Sequence, residues 1–201
     1  MLYLRFTGMH MTRLLTDMDA YHPLTADCKQ ALIPLFQQKT IAKNELLLTI
    51  GTVPKWYYYI EKGLFAYYYL ADNGDMIIKR FFAEHNFMSS TAALIQQEPG
   101  LFAIVALEDA RYIQFSAAPF RALFEQYHDL ALFHINYLEK NWIVEKEHLE
   151  ITLKYETAKE RYVQFLNTQA NIIPRLKQHH IASFLGITPT QLSRIKKSLL
   201  L

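Results

Sequence analysis

The sequence predicts an α+β protein with an N-terminal β-roll, a long helix and a C-terminal helix-turn-helix. Residues 40–115 alternate between short runs rich in tyrosine, phenylalanine and isoleucine and turns that contain glycine, which is typical of β structure. Residues 129–153 contain neither glycine nor proline, which favours one long helix. Residues 178–197, QHHIASFLGITPTQLSRIKK, have the spacing of two short helices that pack across a turn.

The first predicted helix covers residues 25–37, where Thr25 can cap the N-terminus and apolar residues follow at helical spacing. No element is predicted before it. Met9 and Met11 leave open whether residues 1–10 are native or precede a misassigned start.

The next segment is expected to form many short strands. Asn73 and Gly74 lie between FAYYYL and MIIKRFF, and this dipeptide is typical of a hairpin because it tolerates positive φ at both turn positions. We predict a small helix at residues 89–97 and two more strands at residues 101–107 and 111–115. Strands at this spacing indicate a barrel or a rolled sandwich.

Two tyrosine triplets, at residues 57–59 and 67–69, allow two interpretations. Exposed rings could form a stacking platform for nucleic-acid bases. In a strand, however, the outer two rings of a triplet share one face and the middle ring takes the other. We therefore expect these rings to belong to the β core, with their hydroxyls at its edge.

A short helix at residues 119–127 precedes the long helix at residues 129–153. The apolar residues of the long helix form one stripe, which Glu145 interrupts. Such a stripe often packs within its own chain, but a small β domain cannot cover a helix of about 25 residues. We expect a dimer interface formed by Ile135, Leu138, Trp142 and Leu149.

The chain is expected to divide into two domains, residues 1–152 and residues 153–201. The second begins with a helix at residues 158–169, which Pro174 separates from the helix-turn-helix. The linker falls at residues 152–157.

Within the helix-turn-helix, each structural position carries a suitable residue. Ala182 is small where the two helices cross, and Gly186 permits positive φ in the turn. Thr188 supplies an N-cap, Pro189 is the first helical residue, and Gln191 completes a capping box. The second helix is therefore specified to start at one residue, as a helix that presents side chains to a DNA groove requires.

The net charge of +2 conceals a division along the chain. Residues 154–201 carry eight basic and two acidic side chains, a net charge of +6, whereas residues 1–153 carry −4. Ordinary surface variation can produce such a split, but its coincidence with the helix-turn-helix favours a surface for DNA phosphates. We expect DNA contacts from Thr188, Pro189, Thr190, Gln191, Ser193, Arg194, Lys196 and Lys197.

Several other classes of protein are disfavoured. No apolar run of about 18 residues suggests a membrane span, and the N-terminus does not resemble a secretory signal. A single cysteine, Cys28, excludes a disulfide framework or a cysteine-ligated metal site within this chain and indicates a cytoplasmic protein. No catalytic or metal-binding motif stands out, and His85, alone among the strands, is expected to be a surface residue.

Three segments in this order, YYYIEKGLFAYYYLADNGDM, VALEDARYIQFS and IASFLGITPTQLSRI, resemble the superfamily of the cyclic-AMP receptor protein and the fumarate–nitrate reduction regulator, the Crp-Fnr superfamily. The resemblance implies a cyclic-nucleotide-binding-like β-roll that senses a small molecule, and a homodimer that binds a palindromic operator in double-stranded DNA. It also makes RNA polymerase a candidate partner. The effector is unknown.

The resemblance locates a ligand pocket near Met88, Ser89, Ser90, Gly100 and Leu101. Members that bind cyclic AMP carry a glycine and a glutamate, then an arginine and a serine or threonine, at the matching places. Because these are missing here, we expect no binding of cyclic AMP. We also expect no cofactor: the cysteines of the iron–sulfur members are missing, and none of the eight histidines lies in a recognisable haem motif, although a haem sensor stays open.

In the helix-turn-helix, Arg194 matches the arginine that reads bases in the family, whereas Pro189 and Thr190 replace its commoner arginine and glutamate. We therefore expect the sequence of the operator to differ from those that the family commonly binds. The family's C-terminal β-wing is not evident before Leu201. Either this protein functions without a wing or the sequence is truncated.

Two other interpretations compete with a DNA-binding regulator. One is a cyclic-nucleotide or other small-molecule-binding module whose helical tail contacts a protein partner, which the charge of the tail disfavours. The other is an enzyme, which the missing motifs disfavour.

Overall fold

The computed structural model describes residues 2–144, 146, 147 and 155–199. The first part of the chain forms α1 (Leu2–Asp19), α2 (Ala26–Leu32), a 3-10 turn (Ile33–Leu35), β1 (Gln37–Ile41), β2 (Leu46–Leu48), β3 (Trp56–Lys62), β4 (Phe65–Leu70), β5 (Met76–Phe82), β6 (Phe87–Met88), α3 (Thr91–Gln96), β7 (Phe102–Ala106) and β8 (Ala110–Ser116). Then follow α4 (Ala117–Ala122), a 3-10 turn (Leu123–Glu125), α5 (His128–Leu138), a π-helical segment (Glu139–Val144), α6 (Ala158–Thr168), a 3-10 turn (Ile173–Arg175), α7 (Gln178–Leu185) and α8 (Pro189–Leu199).

The strands form two four-stranded antiparallel sheets. One sheet has the order β1-β8-β3-β6, and the other has the order β2-β7-β4-β5. The two sheets enclose a common apolar interior, so the predicted α+β class and the predicted β-roll are confirmed.

Both sheets are covered on their outer faces as well. The sheet that contains β3 packs against α1, α2, α4 and α5, and the sheet that contains β4 and β5 packs against α6, α7 and α8. The C-terminal helices and the roll therefore share one apolar cluster, whose members are Leu64, Ala66, Tyr68, Ile78, Phe81, Ala83, Ala103, Val105, Tyr162, Phe165, Ile172, Ile181, Ala182, Leu185 and Leu192.

The tyrosine triplets alternate between faces, as predicted. Tyr57 and Tyr59 point out of the roll into the helical layer, while Tyr58 points into the interior. In the second triplet Tyr67 points inward and Tyr68 points toward the C-terminal helices. All five rings are buried, Tyr58 and Tyr67 inside the roll and the other three beneath the helices that cover its outer faces, so they belong to the core rather than to a stacking platform.

The predicted hairpin joins β4 to β5, but its turn is wider than the two-residue turn that Asn73 and Gly74 suggested. Gly74 has φ +85°, whereas Asn73 stays at negative φ. Gly74 N–H donates to the Ala71 carbonyl over 2.8 Å, and Asp75 N–H donates to Asn73 Oδ1 over 3.1 Å. The asparagine side chain thus stabilises the turn in place of a left-handed backbone.

Helix α1 is an element that the sequence prediction missed. Leu14 and Met18 are fully buried against the roll, and Met11 and Leu15 pack beside them. These four residues have the spacing of a helix face, so the signal was present. No element was predicted for this segment, and whether residues 1–10 are native stays open.

The long helix is not uninterrupted α-helix, which corrects the prediction for residues 129–153. α5 ends at Leu138, and residues 139–144 continue with π-helical hydrogen bonding. Arg80 Nη1 donates to the backbone carbonyl of Asn141 over 3.1 Å, and Asn141 Nδ2 donates to the Tyr137 carbonyl over 2.9 Å. Side-chain donors that bind helix carbonyls favour such a local rearrangement.

The remainder of that helix, residues 145 and 148–153, lies outside the described residues, as do residues 152–154 of the predicted linker. The boundary between residues 152 and 153 therefore stays a prediction. Among the described helices, none combines the length and the apolar character that crossing a membrane requires.

Candidate nucleic-acid interface

The turn between α7 and α8 has the geometry that its sequence predicts. Gly186 adopts φ +67° and ψ +34°, and the N–H of Ile187 donates to the Ala182 carbonyl over 3.0 Å. This bond closes the C-terminus of α7 with a left-handed residue. Ala182 is buried between the helices, where a larger side chain would push them apart.

Helix α8 begins with the predicted capping box. Gln191 N–H donates to Thr188 Oγ1 over 3.2 Å, and Thr188 N–H donates to Gln191 Oε1 over 2.8 Å. Pro189 is the first helical residue, where its missing N–H costs no hydrogen bond. The start of α8 is therefore fixed, which also fixes the direction of the side chains that follow.

Helix α8 separates an apolar from a polar face. Leu192 is fully buried, and Ile195 packs beside it. The predicted DNA-contacting residues lie on the other side: Thr188, Pro189, Thr190, Gln191, Arg194 and Lys197 are exposed, and Ser193 and Lys196 are half-buried. Within the described part of the chain, Arg194, Lys196 and Lys197 form no ion pair, so their charges are available to an external anion.

Helix α7 is attached to the edge of the roll. Ser183 Oγ accepts a hydrogen bond from Ile78 N–H over 2.9 Å and donates to the Met76 carbonyl. Beside it, the ring centroid of Phe184 lies 5.3 Å from that of Phe81 and 5.2 Å from that of Phe165. The helix-turn-helix thus docks on β5 through α7 and leaves the polar face of α8 open.

Arg175 makes a second link between the C-terminal helices and the roll. Its Nη1 lies 2.8 Å from Glu84 Oε2, and its Nη2 also bonds Glu108 Oε1. Burial alone would raise the pKa of Glu84, but hydrogen bonds from Arg175 and from the N–H of Gly63 outweigh burial and lower that pKa to about 2. The two carboxylates in turn raise the pKa of Arg175.

The predicted ligand residues do not converge on one pocket. Ser90 is buried, bonds Tyr67 Oη over 3.0 Å and lies against Gly100, where a Cβ would approach Ser90 Oγ to 3.4 Å. Leu101 is 66% exposed and does not join them. The interior beside Ser90 is filled by Tyr67 and Phe102, whose ring centroids are 4.7 Å apart.

Met88 and Ser89 line a separate small cavity between β6 and α5. Its volume is about 20 Å³, enough for one water molecule. Tyr57 and His134 also belong to its wall. Burial, and then the charge of Arg121, lower the pKa of His134 to about 4, so its imidazole is neutral at physiological pH.

The predicted dimer residues have different environments. Ile135 is 48% exposed, and Leu138 is half-buried. Trp142 contacts its own chain, where its ring lies 5.9 Å from Lys79 Nζ, and Leu149 lies outside the described residues.

Sequence reasoning missed two exposed apolar residues of the π-helical segment, Ile143 and Val144, which are 58% and 64% exposed. They do not fit the α-helical stripe. The dimer interface itself stays a prediction.

His85 is largely a surface residue, as predicted, but it has partners. Its Nδ1 lies 3.0 Å from Tyr59 Oη and 3.3 Å from Asp17 Oδ2 of α1. Across the described ranges, histidine, cysteine and carboxylate side chains form no cluster of three or more that could hold a metal ion.

Comparison with known proteins agrees with this architecture. Residues 38–127 match the model of the family "Cyclic nucleotide-binding domain". Among solved structures, FixK2 from Bradyrhizobium japonicum superimposes with a TM-score of 0.70 at 17% identity, over 82% of this chain and 84% of that one. The chain has the Crp-Fnr fold.

Two other solved structures share this fold at similarly low sequence identity. The c-di-GMP responsive global regulator CLP from Xanthomonas campestris matches with a TM-score of 0.69 at 12% identity, over 88% of this chain and 92% of that one. The catabolite activator protein of Thermus thermophilus matches with a TM-score of 0.56 at 16% identity, over 90% and 85%. A search of curated protein sequences finds no match. The resemblance inferred from sequence is thus confirmed at the level of the fold.

Proposed function

We propose that this chain is a dimeric, DNA-binding transcription regulator whose β-roll senses a signal other than cyclic AMP. The observation that carries the proposal is the polar face of α8. Its start is fixed by the Thr188–Gln191 capping box, and Arg194 and Lys197 stand exposed on it without ion-pair partners in the described chain.

Charge supports DNA as the ligand of this face. Residues 154–201 carry a net charge of +6, whereas the rest of the chain is acidic. Phosphate neutralisation by lysine and arginine provides most of the sequence-independent affinity for DNA. The acidic roll would repel the same phosphates, which favours approach through the C-terminal helices.

The side chains of α8 suggest a division of roles. Arg194 lies in the middle of the helix, and its planar guanidinium can make two hydrogen bonds to one guanine. Lys196 and Lys197 lie in the last turn, and we assign them to phosphates, whose contacts position a protein on DNA but carry no sequence information. Two copies related by a twofold axis would read half-sites about 34 Å apart, which implies a palindromic operator.

Other residues support the dimerisation and sensing parts of the proposal. Ile135, Ile143 and Val144 form an exposed apolar set on and just after α5, which a second copy of the chain could cover. In the roll, Tyr67 and Phe102 fill the space beside Ser90, and no arginine stands near Gly100 in sequence to neutralise a cyclic phosphate. FixK2, CLP and the catabolite activator protein support the proposal through their shared fold only.

Selection of bound sequences from a random pool of double-stranded DNA tests the proposal. We expect enrichment of a palindrome whose half-sites are about ten base pairs apart. Lys39→Ala is a suitable control, since Lys39 is exposed on β1 of the roll and lies outside the basic C-terminal segment. A pool that stays unenriched after repeated rounds, with folded protein, would contradict DNA recognition.

A further inference from the structure

An open groove lies at the end of the sheet that contains β1, β8 and β3, and it shares no residue with the predicted ligand pocket. Its volume is about 350 Å³, which is within the range of sites for small molecules. The groove forms where Ile41 pairs with Ala110, and where Arg111 pairs with both Thr40 and Lys62. Apolar and polar side chains therefore meet in one place.

Arg111 is positioned in this groove by a buried carboxylate. Its Nε donates to Glu61 Oε2 over 3.0 Å, and Gln38 Nε2 donates to the same oxygen over 2.6 Å. The Glu61 side chain is only 3% exposed, whereas that of Arg111 is 39% exposed. Among the residues that the structure describes, no other group accepts a hydrogen bond from Arg111, so the edge formed by its two Nη groups is available to a ligand. A guanidinium held in this way can bind a second carboxylate through two parallel hydrogen bonds.

Lys62 and Asp109 add one charge of each sign to the groove. Lys62 is exposed and forms no ion pair with a described residue. Asp109 Oδ1 accepts a hydrogen bond from the backbone N–H of Lys43 over 2.8 Å, which leaves Oδ2 for another donor. The groove therefore offers cationic donors together with an anionic acceptor, and Ile41 and Ala42 add apolar surface.

This combination of charges selects among small ligands. A simple anion would be attracted by Arg111 and Lys62 but repelled by Asp109, and a simple amine would meet the reverse. A molecule that carries both charges can satisfy all three groups. In an α-amino acid the carboxylate and the ammonium are attached to the same carbon, which suits two residues as close in the chain as Asp109 and Arg111.

We propose that this groove binds a small zwitterion of the α-amino-acid class. The carboxylate of the ligand is held by Arg111 and Lys62, and its ammonium is held by Asp109. The side chain of the ligand packs on Ile41 and Ala42, which favours an aliphatic amino acid. The proposal goes beyond the proposed function, which names no ligand, and it does not depend on DNA binding.

Calorimetric titration of the full chain with L-leucine tests the site. Two analogues are compared at constant ionic strength: 4-methylpentanoate, which lacks the ammonium, and 3-methylbutylamine, which lacks the carboxylate. We expect saturable binding of one leucine per chain at millimolar concentration or below. Each analogue should bind about tenfold more weakly or worse, because it leaves a charged group of the site without its partner.

Three substitutions in the groove should each weaken leucine binding about tenfold, since each removes a charge-assisted hydrogen bond. Arg111→Lys keeps a cation beside Glu61 but loses the planar fork. Asp109→Asn keeps the Oδ1 acceptor for Lys43 but loses the charge that attracts the ammonium. Lys62→Gln removes an exposed side chain that has no ion pair among the described residues, so it tests the site without disturbing the fold.

Lys39→Gln is the matched control, because Lys39 is an exposed lysine of β1 that does not line the groove. This variant should bind leucine as tightly as wild type. Three results would overturn the site: no saturation by leucine at millimolar concentration, equal affinity for leucine and 4-methylpentanoate, or equal losses of affinity in Lys39→Gln and Lys62→Gln.

Discussion

Ser183 of α7 accepts a hydrogen bond from the backbone N–H of Ile78 over 2.9 Å and donates one to the carbonyl of Met76. β5 is an edge strand, and its outer backbone groups lack a neighbouring strand. The Ser183 hydroxyl therefore gives hydrogen-bond partners to one backbone N–H and one backbone carbonyl that no neighbouring strand pairs. This contact fixes the helix-turn-helix on the roll, so the state of the roll can influence the position of α8.

Replacing Ser183 with alanine should destabilise the folded chain. The change leaves the Ile78 N–H and the Met76 carbonyl without partners, which costs roughly 1–3 kcal/mol when such groups are buried. Chemical unfolding followed by circular dichroism measures this difference. Ser198→Ala is the control, since that serine is exposed and bonds only within α8, and should change stability by less than about 0.5 kcal/mol. Equal effects of the two substitutions on the free energy of unfolding would show that the Ser183 contact does not stabilise the folded chain.

The ion pairs of Arg175 should make stability depend on pH in acid. Because the folded pKa of Glu84 is lowered to about 2 from its ordinary 4.5, its stabilisation is complete above pH 4.5 and is lost as the pH falls through 2. Arg175→Gln should reduce that dependence. Urea unfolding at a series of pH values from about 6 down to about 2 compares the two proteins. Parallel profiles would mean that Arg175 does not lower the pKa of Glu84.

Charged residues at Ile143 and Val144 should yield monomers. These side chains are among the most exposed apolar groups described, and burial against a second copy is the simplest way to remove them from water. Sedimentation of the double variant Ile143→Asp, Val144→Asp should give half the mass of wild type. Ile95→Asp, at a similarly exposed site on α3, should stay dimeric. Wild-type protein that sediments as a monomer at micromolar concentration would refute this interface.

Cyclic AMP should not bind usefully. The cyclic phosphate would lack an arginine near Gly100, and the hydroxyl of Ser90 is already bonded to Tyr67. Calorimetric titration with cyclic AMP should therefore show no saturable heat at micromolar concentrations of the nucleotide. A dissociation constant in the low micromolar range would contradict this expectation and would indicate that the phosphate-binding loop lies elsewhere than near Gly100.

Local patterns predicted the local structure well. Gly186 and the Thr188–Gln191 pair determine the turn and the start of α8 through bonds between near neighbours, so the sequence alone was sufficient. Arg80 donates a hydrogen bond to the carbonyl of Asn141, 61 residues further along the chain, and helical periodicity cannot indicate so distant a contact. The π-helical segment was therefore missed. Helix α1 was different, since Leu14 and Met18 carried a signal that was overlooked.

Binding of Arg194→Ala and Lys197→Ala to a selected operator and to random DNA, over a range of salt concentrations, tests the central claim most directly. We predict that Arg194→Ala relaxes the preference at one base pair in each half-site by roughly 1–3 kcal/mol. Lys197→Ala should weaken binding to all DNA about equally and reduce the salt dependence by roughly one unit for each phosphate that the lysine neutralises in wild type. Lys39→Ala, on β1 of the roll, should match wild type. If Arg194→Ala lowers binding to operator and random DNA alike, or if wild type prefers no sequence, the polar face of α8 does not read bases and the account is contradicted.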